Sequence, residues 1–219
     1  MRKQYAVIGL GRFGLSLAAT LAKAGNEVLV IDTNEDIVQK YSDLFTHAVT
    51  ADTTDEQAIK ALGLRNFDVV VVAIGHDVQA SVLTTLLLKE IGVKYIVAKA
   101  DNQHHGKMLE KIGADKVVFP ERDMGKRIAH NLMAAGVVEY IEVAQDLGLM
   151  ETAVPASLQG ISLLASDLRP KYGITVLGIR RNGRILLSPS PEEVFREGDA
   201  LILVGDSTGI HHFEKDYCD

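Results

Sequence analysis

Gly9, Gly11 and Gly14 stand in the pattern G-x-G-x-x-G, directly after the apolar run at residues 5–8 and at the head of a helical stretch. That context gives each glycine a task. Gly9 permits a tight turn, Gly11 lets backbone approach a pyrophosphate, and Gly14 lets the helix pack close to the sheet. Phosphates resting there would meet the free N–H groups and positive end of the helix. Asp32 closes the next apolar run, about twenty residues on, where a carboxylate accepts hydrogen bonds from an adenosine ribose diol and repels a 2′-phosphate. The pattern predicts a nucleotide crevice formed by the loop Gly9–Gly14, including Arg12 and Phe13, with Asp32 at its far side.

Arg12 lies at a variable position of the loop. A guanidinium there would neutralise a terminal phosphate by a bidentate contact, which suits a di- or triphosphate at least as well as NAD; a solvated loop arginine is the simpler alternative. Asp52 and Thr53 follow the third apolar run and are placed to reach an adenine edge, while capping of the next helix by Thr53 or Thr54 explains the same residues. Ile74 and Gly75 end the fourth run over the crevice. Lys99 ends the fifth on the same edge, either as a phosphate contact or as a solvated strand end, and Glu121 follows Pro120 after the sixth.

Other constellations offer less. Tyr95 and Lys99 form Y-x-x-x-K with Ser81 upstream, but the segment reads as a strand, where residues four apart lie about 13 Å from each other. A tyrosine–lysine pair would need one helical turn. His104–His105 and His211–His212 are adjacent, so their side chains diverge, and metal sites favour spacings of three or four. No G-x-S-x-G elbow, no P-loop and no cysteine nucleophile occurs in the sequence. The nucleotide is expected to be read and not consumed.

The elements that must position these residues alternate. Strands are predicted at 4–8, 27–31, 47–50, 68–74, 94–99 and 116–119, and helices at 12–24, 34–43, 55–62, 77–91, 104–112 and 121–135. Nearly all-apolar strands alternating with helices predict an α/β, Rossmann-type parallel sheet covered on both faces. Gly25, Gly63, Gly92 and Gly113 fall where left-handed helix caps are wanted. After Gly136 the pattern changes to extended segments ending at Pro155. A short helix in "GISLLASDLRPKYG" is closed by Pro170 and Gly173, and a hairpin turns on Asn182-Gly183. A turn at Gly198-Asp199 precedes another strand, and a last helix has Ser207 as N-cap candidate. A boundary near 137 to 142 divides the chain into a nucleotide-binding domain, 1–136, and a small α+β domain, 137–219.

Composition narrows the class. The chain has 219 residues, is 47% hydrophobic and carries a formal charge of -6, enough apolar content for real cores and no generic basic surface for a nucleic-acid polymer. No apolar run approaches a membrane span, and Gly9 and Gly11 interrupt the basic start too early for a signal peptide, so a soluble cytoplasmic protein is expected. The single cysteine, Cys218, reads as a tail thiol. A mean hydropathy of +0.11 leans toward an oligomer that hides apolar faces.

The segments "YAVIGLGRFG", "LGLRNFDVVVVAIG", "QASVLTTLLLKEIGV", "KMLEKIGADKVVFPERDMGKRIA" and "EGDALILVG" together resemble the cytosolic regulatory subunits of Ktr-type potassium uptake systems, of the KtrA/KtrC branch, from residue 1 to 215. Those subunits join an RCK (KTN) domain to a TrkA C-terminal domain. The resemblance implies a homodimer, assembly into an octameric ring, and docking beneath a membrane potassium translocator at the inner face of the plasma membrane. It implies ATP and ADP in the crevice, with ATP activating, NAD or NADH in similar sites, and Mg2+ or another cation near Glu121 at a dimer interface. The phosphate loop, phosphate-binding arginine and ribose carboxylate fall on Gly9, Gly11, Gly14, Arg12 and Asp32.

In the second domain the resemblance implies a cyclic di-AMP pocket at a two-fold interface. It would use Leu163, Leu164, Asp167, Leu168, Arg169, Pro170 and Pro191, with apolar residues on the adenines and Arg169 on the phosphates. Thr175 stands where many members carry asparagine, and Pro170 replaces the usual alanine. A ligand-free apolar interface is the alternative. A nucleotide-gated regulatory subunit thus explains more than an NAD-dependent oxidoreductase or NADH-sensing protein, which accounts only for the fingerprint and Asp32.

Overall fold

The computed structural model describes residues 3–133, 137–144 and 146–217, and divides into two compact units, Met1–Arg122 and Asp123–Asp219. Cys218, the expected junction at Gly136 and the end of the sixth predicted helix lie outside the described residues. Among the described residues no helix is long and apolar enough to cross a membrane.

In the first unit, strands β1 (Gln4–Ile8), β2 (Glu27–Asp32), β3 (His47–Thr50), β4 (Val69–Val72), β5 (Ile96–Lys99) and β6 (Lys116–Val118) form one parallel sheet in the order β3-β2-β1-β4-β5-β6. Helices α1 (Arg12–Lys23), α2 (Glu35–Tyr41), α3 (Glu56–Ala61), α4 (Val78–Glu90) and α5 (Gln103–Ile112) alternate with them, and α6 (Pro120–Met133) starts at the end of this unit, most of its residues belonging to the second. This is the dinucleotide-binding strand order, and its direction reverses between β1 and β4, where a crevice opens at the carboxyl ends. Strand alternation sorts the apolar residues onto two faces. Ala6, Ile8, Leu29, Ile31, Val70 and Val72 fill one layer, and Val7, Val28, Val30 and Val71 the other.

Helix ends follow local chemistry. Asn34, Asp55, Asp77 and Asn102 cap α2 to α5 with side-chain oxygens. Neither Thr53 nor Thr54 caps α3, as the sequence suggested. Asp52 draws Thr54 into a local turn, and Asp55 takes the Gln57 N–H instead. Gly25, Gly63, Gly92 and Gly113 all have positive φ, as left-handed caps do.

The second unit is an antiparallel sheet of β7 (Val137–Ala144), β8 (Leu147–Ala153), β9 (Thr175–Arg181), β10 (Arg184–Leu187) and β11 (Ala200–Asp206), in the order β10-β9-β11-β8-β7. Its core holds Met150, Ile179, Phe195, Leu203 and Phe213. Asn182 (φ 51) and Gly183 (φ 75) make the β9–β10 turn, both left-handed as a two-residue hairpin loop requires. At the Gly198-Asp199 turn the Asp199 carboxylate takes the Arg181 guanidinium through Nε at 2.8 Å and Nη2 at 2.7 Å. That bidentate pair holds the Asp199 carboxyl below the usual range.

Two sequence expectations change here. The helix in "GISLLASDLRPKYG" is only α7 (Leu168–Tyr172), because the N–H groups of Leu163 and Leu164 bond to the carbonyls of Glu193 and Pro191 and residues 163–166 form a turn in place of helix. Pro170 sits inside the first turn, where its missing N–H costs nothing, so it does not end the helix; Gly173 (φ 69) does. The final helix, α8 (Ser207–Tyr217), is capped one residue earlier than expected. Asp206 accepts the Gly209 N–H at 2.8 Å, and Ser207 is already helical.

Candidate nucleotide crevice and a second, apolar cavity

A crevice of about 420 Å³ opens between β1 and β4, lined by Gly9, Gly11, Asp32, Asp52, Thr53 and Ile74 of the predicted set. The glycine loop is built as its chemistry demands. Gly9 has φ +94, and a Cβ there would sit 3.2 Å from the Ala73 carbonyl, so the loop lies directly on the end of β4. A Cβ on Gly14 would stand 1.9 Å from the Gly9 carbonyl oxygen, which no side chain tolerates. At Gly11, by contrast, nothing lies within 4 Å of the would-be Cβ. Gly11 is the N-cap of α1 and offers no side-chain cap, so the first N–H groups of that helix face the opening.

Asp32 joins the loop to the end of β2. Its Oδ2 accepts the Leu10 N–H at 2.6 Å and its Oδ1 the Asn34 N–H at 2.9 Å. Each oxygen keeps a further acceptor site for a ligand hydroxyl. Asp52 accepts the Thr54 hydroxyl at 2.7 Å and the Thr54 N–H at 2.9 Å, and these bonds hold its carboxyl below the usual range. The Thr53 hydroxyl is turned inward to Thr84 at 2.9 Å.

Arg12, Phe13, Gly14, Gly75, Lys99 and Glu121 do not line the crevice itself. Arg12 is exposed at the first position of α1, and Phe13 packs into the core beneath the loop. Lys99 is no solvated strand end: it is 8% exposed, lies over Gly75, and gives its Nζ to Glu121 Oε1 at 2.6 Å. That bond is the main reason the Glu121 carboxyl is held below its ordinary range, and His76 adds to it. A cation at Glu121 is therefore already supplied within one chain by Lys99. Among the described residues no cluster of three or more His, Cys, Asp or Glu is shaped to hold a metal ion.

Sequence reasoning missed Thr33, His76, Asp77 and Ala80, which also line the crevice. His76 and Asp77 directly follow "AIG", and that adjacency was the available signal. Ser81 and His105 belong to the interior. His105 Nδ1 accepts the Asp101 N–H at 3.2 Å, which leaves Nε2 to donate to Ser81 Oγ at 3.2 Å, and burial lowers its pKa. Tyr95 precedes β5 and is 41% exposed while Lys99 ends that strand buried, so the two do not form a catalytic pair.

The second unit contains a separate cavity of about 520 Å³. All eight residues expected there from sequence, Leu163, Leu164, Asp167, Leu168, Arg169, Pro170, Thr175 and Pro191, surround it, joined by Leu177, Ser188 and Pro189. Asp167 (φ 48) and Ser188 (φ 49) hold left-handed conformations, which ordinary residues enter at a cost. Arg169 is exposed at the rim.

This architecture defines a Rossmann-type parallel-sheet unit followed by a small antiparallel-sheet unit. Family models match both parts, the TrkA-N domain over residues 5–120 and the TrkA-C domain over residues 149–216. The chain is 50% identical to Ktr system potassium uptake protein C of Bacillus subtilis (strain 168), covering 98% of this chain and 97% of the relative. It is 46% identical to Ktr system potassium uptake protein A of the same organism, covering 98% and 96%. Among solved structures, the GsuK channel superposes with a TM-score of 0.71 at 19% identity, over 100% of this chain and 40% of that one, a likeness of fold. The chain belongs to the TrkA-N/TrkA-C family of Ktr system potassium uptake proteins.

Proposed function

We propose that this chain is the nucleotide-gated regulatory subunit of a potassium uptake system, acting as a sensor and not as an enzyme. The observation that carries this reading is the near full-length identity with the Ktr system proteins C and A. ATP and ADP occupy the crevice, with NAD or NADH as chemically related alternatives. The phosphates rest on the N–H groups at the head of α1 and the ribose diol bonds to Asp32, while Arg12 reads the terminal phosphate. A ligand shifts an equilibrium only through its preference for one state, so ATP activates by favouring one shape of the assembly over another.

That assembly is a homodimer built into an octameric ring, docked at the cytoplasmic face of the membrane on a potassium translocator. Exposed Met124, Ile128 and Leu132 recur every fourth residue along α6 and form an apolar stripe that favours pairing. Glu121, with Lys99 and with Mg2+ or another cation supplied across the dimer, offsets the charge of two triphosphates. The second cavity takes cyclic di-AMP, adenines against Leu163 and Leu164 and phosphates toward Arg169. The functional division runs 1–136 and 137–219.

Isothermal titration with ATP, ADP, NADH and cyclic di-AMP, with and without divalent cation, tests this. Micromolar ATP and ADP binding without turnover, a separate cyclic di-AMP isotherm, and loss of ATP-over-ADP preference in Arg12→Ala are expected. Tight NADH binding with no response to ATP would overturn the reading in favour of a nicotinamide protein.

A further inference from the structure

His76 lines the nucleotide crevice together with Gly9 and Gly11 and is exposed; histidine is the side-chain type whose charge state changes near neutral pH. The glycine loop rests on the Ala73–Ile74 peptide, which the would-be Cβ of Gly9 meets at 3.2–3.3 Å, so His76 follows that support by two residues. Between them Gly75 lies against the Lys99 ammonium, 2.8 Å from its own would-be Cβ. His76 therefore stands two residues beyond the peptide that carries the glycine loop and next to the glycine that Lys99 covers.

The charged groups around it are already committed. Lys99 on β5 is engaged by Glu121 of α6 at 2.6 Å. Asp77 accepts the Ala80 N–H at 2.9 Å, and Asp32 and Asp52 across the crevice hold backbone N–H groups. Arg12 is exposed at the first position of α1 and does not line the crevice. Among the described residues that line the crevice His76 is the one basic side chain, and it lies near enough to Glu121 to act on that carboxylate.

We propose that His76 is a specificity-determining residue for the phosphate chain of the crevice ligand. Its imidazolium pairs with a phosphate, so affinity for phosphorylated nucleotides rises as pH falls through neutrality, while adenosine is indifferent. This rests on the nucleotide assignment above and adds to it a pH-dependent preference for anionic ligands.

The test is calorimetric titration of the full chain with ATP, ADP and adenosine, without divalent cation and at constant ionic strength, at about pH 6 and about pH 8. The terminal phosphate of ATP titrates in the same window. The readout is therefore the difference between wild type and His76→Gln, in which the ligand's own titration cancels. Wild type is expected to gain about tenfold more ATP affinity on acidification than His76→Gln, the strength of a charge-assisted contact. His76→Lys should keep the low-pH affinity at both values. An identical pH slope in wild type and His76→Gln, or an equal slope for adenosine and ATP, overturns the proposal while leaving the nucleotide assignment standing. Absence of nucleotide binding at either pH in every form overturns both.

Discussion

The crevice of the parallel-sheet unit is lined by two glycines, three carboxylates, His76, threonines and small aliphatic side chains, whereas the cavity of the antiparallel unit is lined mainly by leucines, prolines and other aliphatic residues, with one arginine at its rim. In the first, recognition is prepared by where the chain turns. Gly9 lies on β4, Gly14 leaves room for Gly9, and Asp32 holds the loop by its Leu10 N–H. In the second, recognition is prepared by side chains standing on a strained frame, with Asp167 and Ser188 in left-handed conformations. The two openings suit the proposed phosphate and adenine groups by different means, because N–H groups solvate anions and side chains supply apolar area.

The comparison breaks first at Gly14. In Gly14→Ala the new Cβ collides with the Gly9 carbonyl at 1.9 Å, so the loop must move. A stability loss of about 3 kcal/mol and loss of nucleotide binding are expected in thermal unfolding and titration. Intact binding in this variant would show that loop geometry does not build the site. Gly11→Ala sharpens the contrast, since its Cβ meets nothing and its φ of -63 suits alanine. Stability should stay within about 0.5 kcal/mol, yet ATP affinity should fall about tenfold while adenosine affinity holds. Equal losses for both ligands would place the phosphates elsewhere.

Arg169→Ala moves the test to the second cavity. Cyclic di-AMP affinity should drop about tenfold, with the ATP isotherm and the melting temperature unchanged; a matching loss of ATP binding would deny that the sites are separate.

The smallest effect concerns pH. His105 is buried and neutral, and its folded pKa lies below the ordinary value, so the unfolded chain binds its proton more readily. Its contribution to stability is complete above about pH 6.5 and is lost as pH falls through the lowered folded value. A melting curve taken against pH should slope downward in acid for wild type and less so for His105→Gln. Equal slopes would assign the acid sensitivity to other groups.

Much of this was legible along the chain, for specific reasons. The strand–loop–helix–strand of residues 4–32 is local, and each glycine's task follows from its neighbours in sequence. The hairpin at Asn182-Gly183 is equally local, because a two-residue loop with left-handed residues has few alternatives. The helix before Gly173 was overextended because the backbone partners that take the N–H groups of Leu163 and Leu164, Glu193 and Pro191, lie far along the chain. Caps were misplaced by one or two residues at Asp55 and Asp206, since several neighbouring polar residues have nearly equal claims.

By itself the sequence determined the order of elements, the parallel sheet, the glycine loop and the cluster of residues around the second cavity. Spacing and local turn chemistry dictate the first three, and the motif segments of the family carried the last. Only the tertiary structure decided which charges remain available. It buried Lys99 against Gly75 and paired it with Glu121, turned the Thr53 hydroxyl inward to Thr84, and left His76 at the crevice mouth. Such choices depend on side chains brought together from separate strands, where desolvation and distance set the outcome and no local pattern records it.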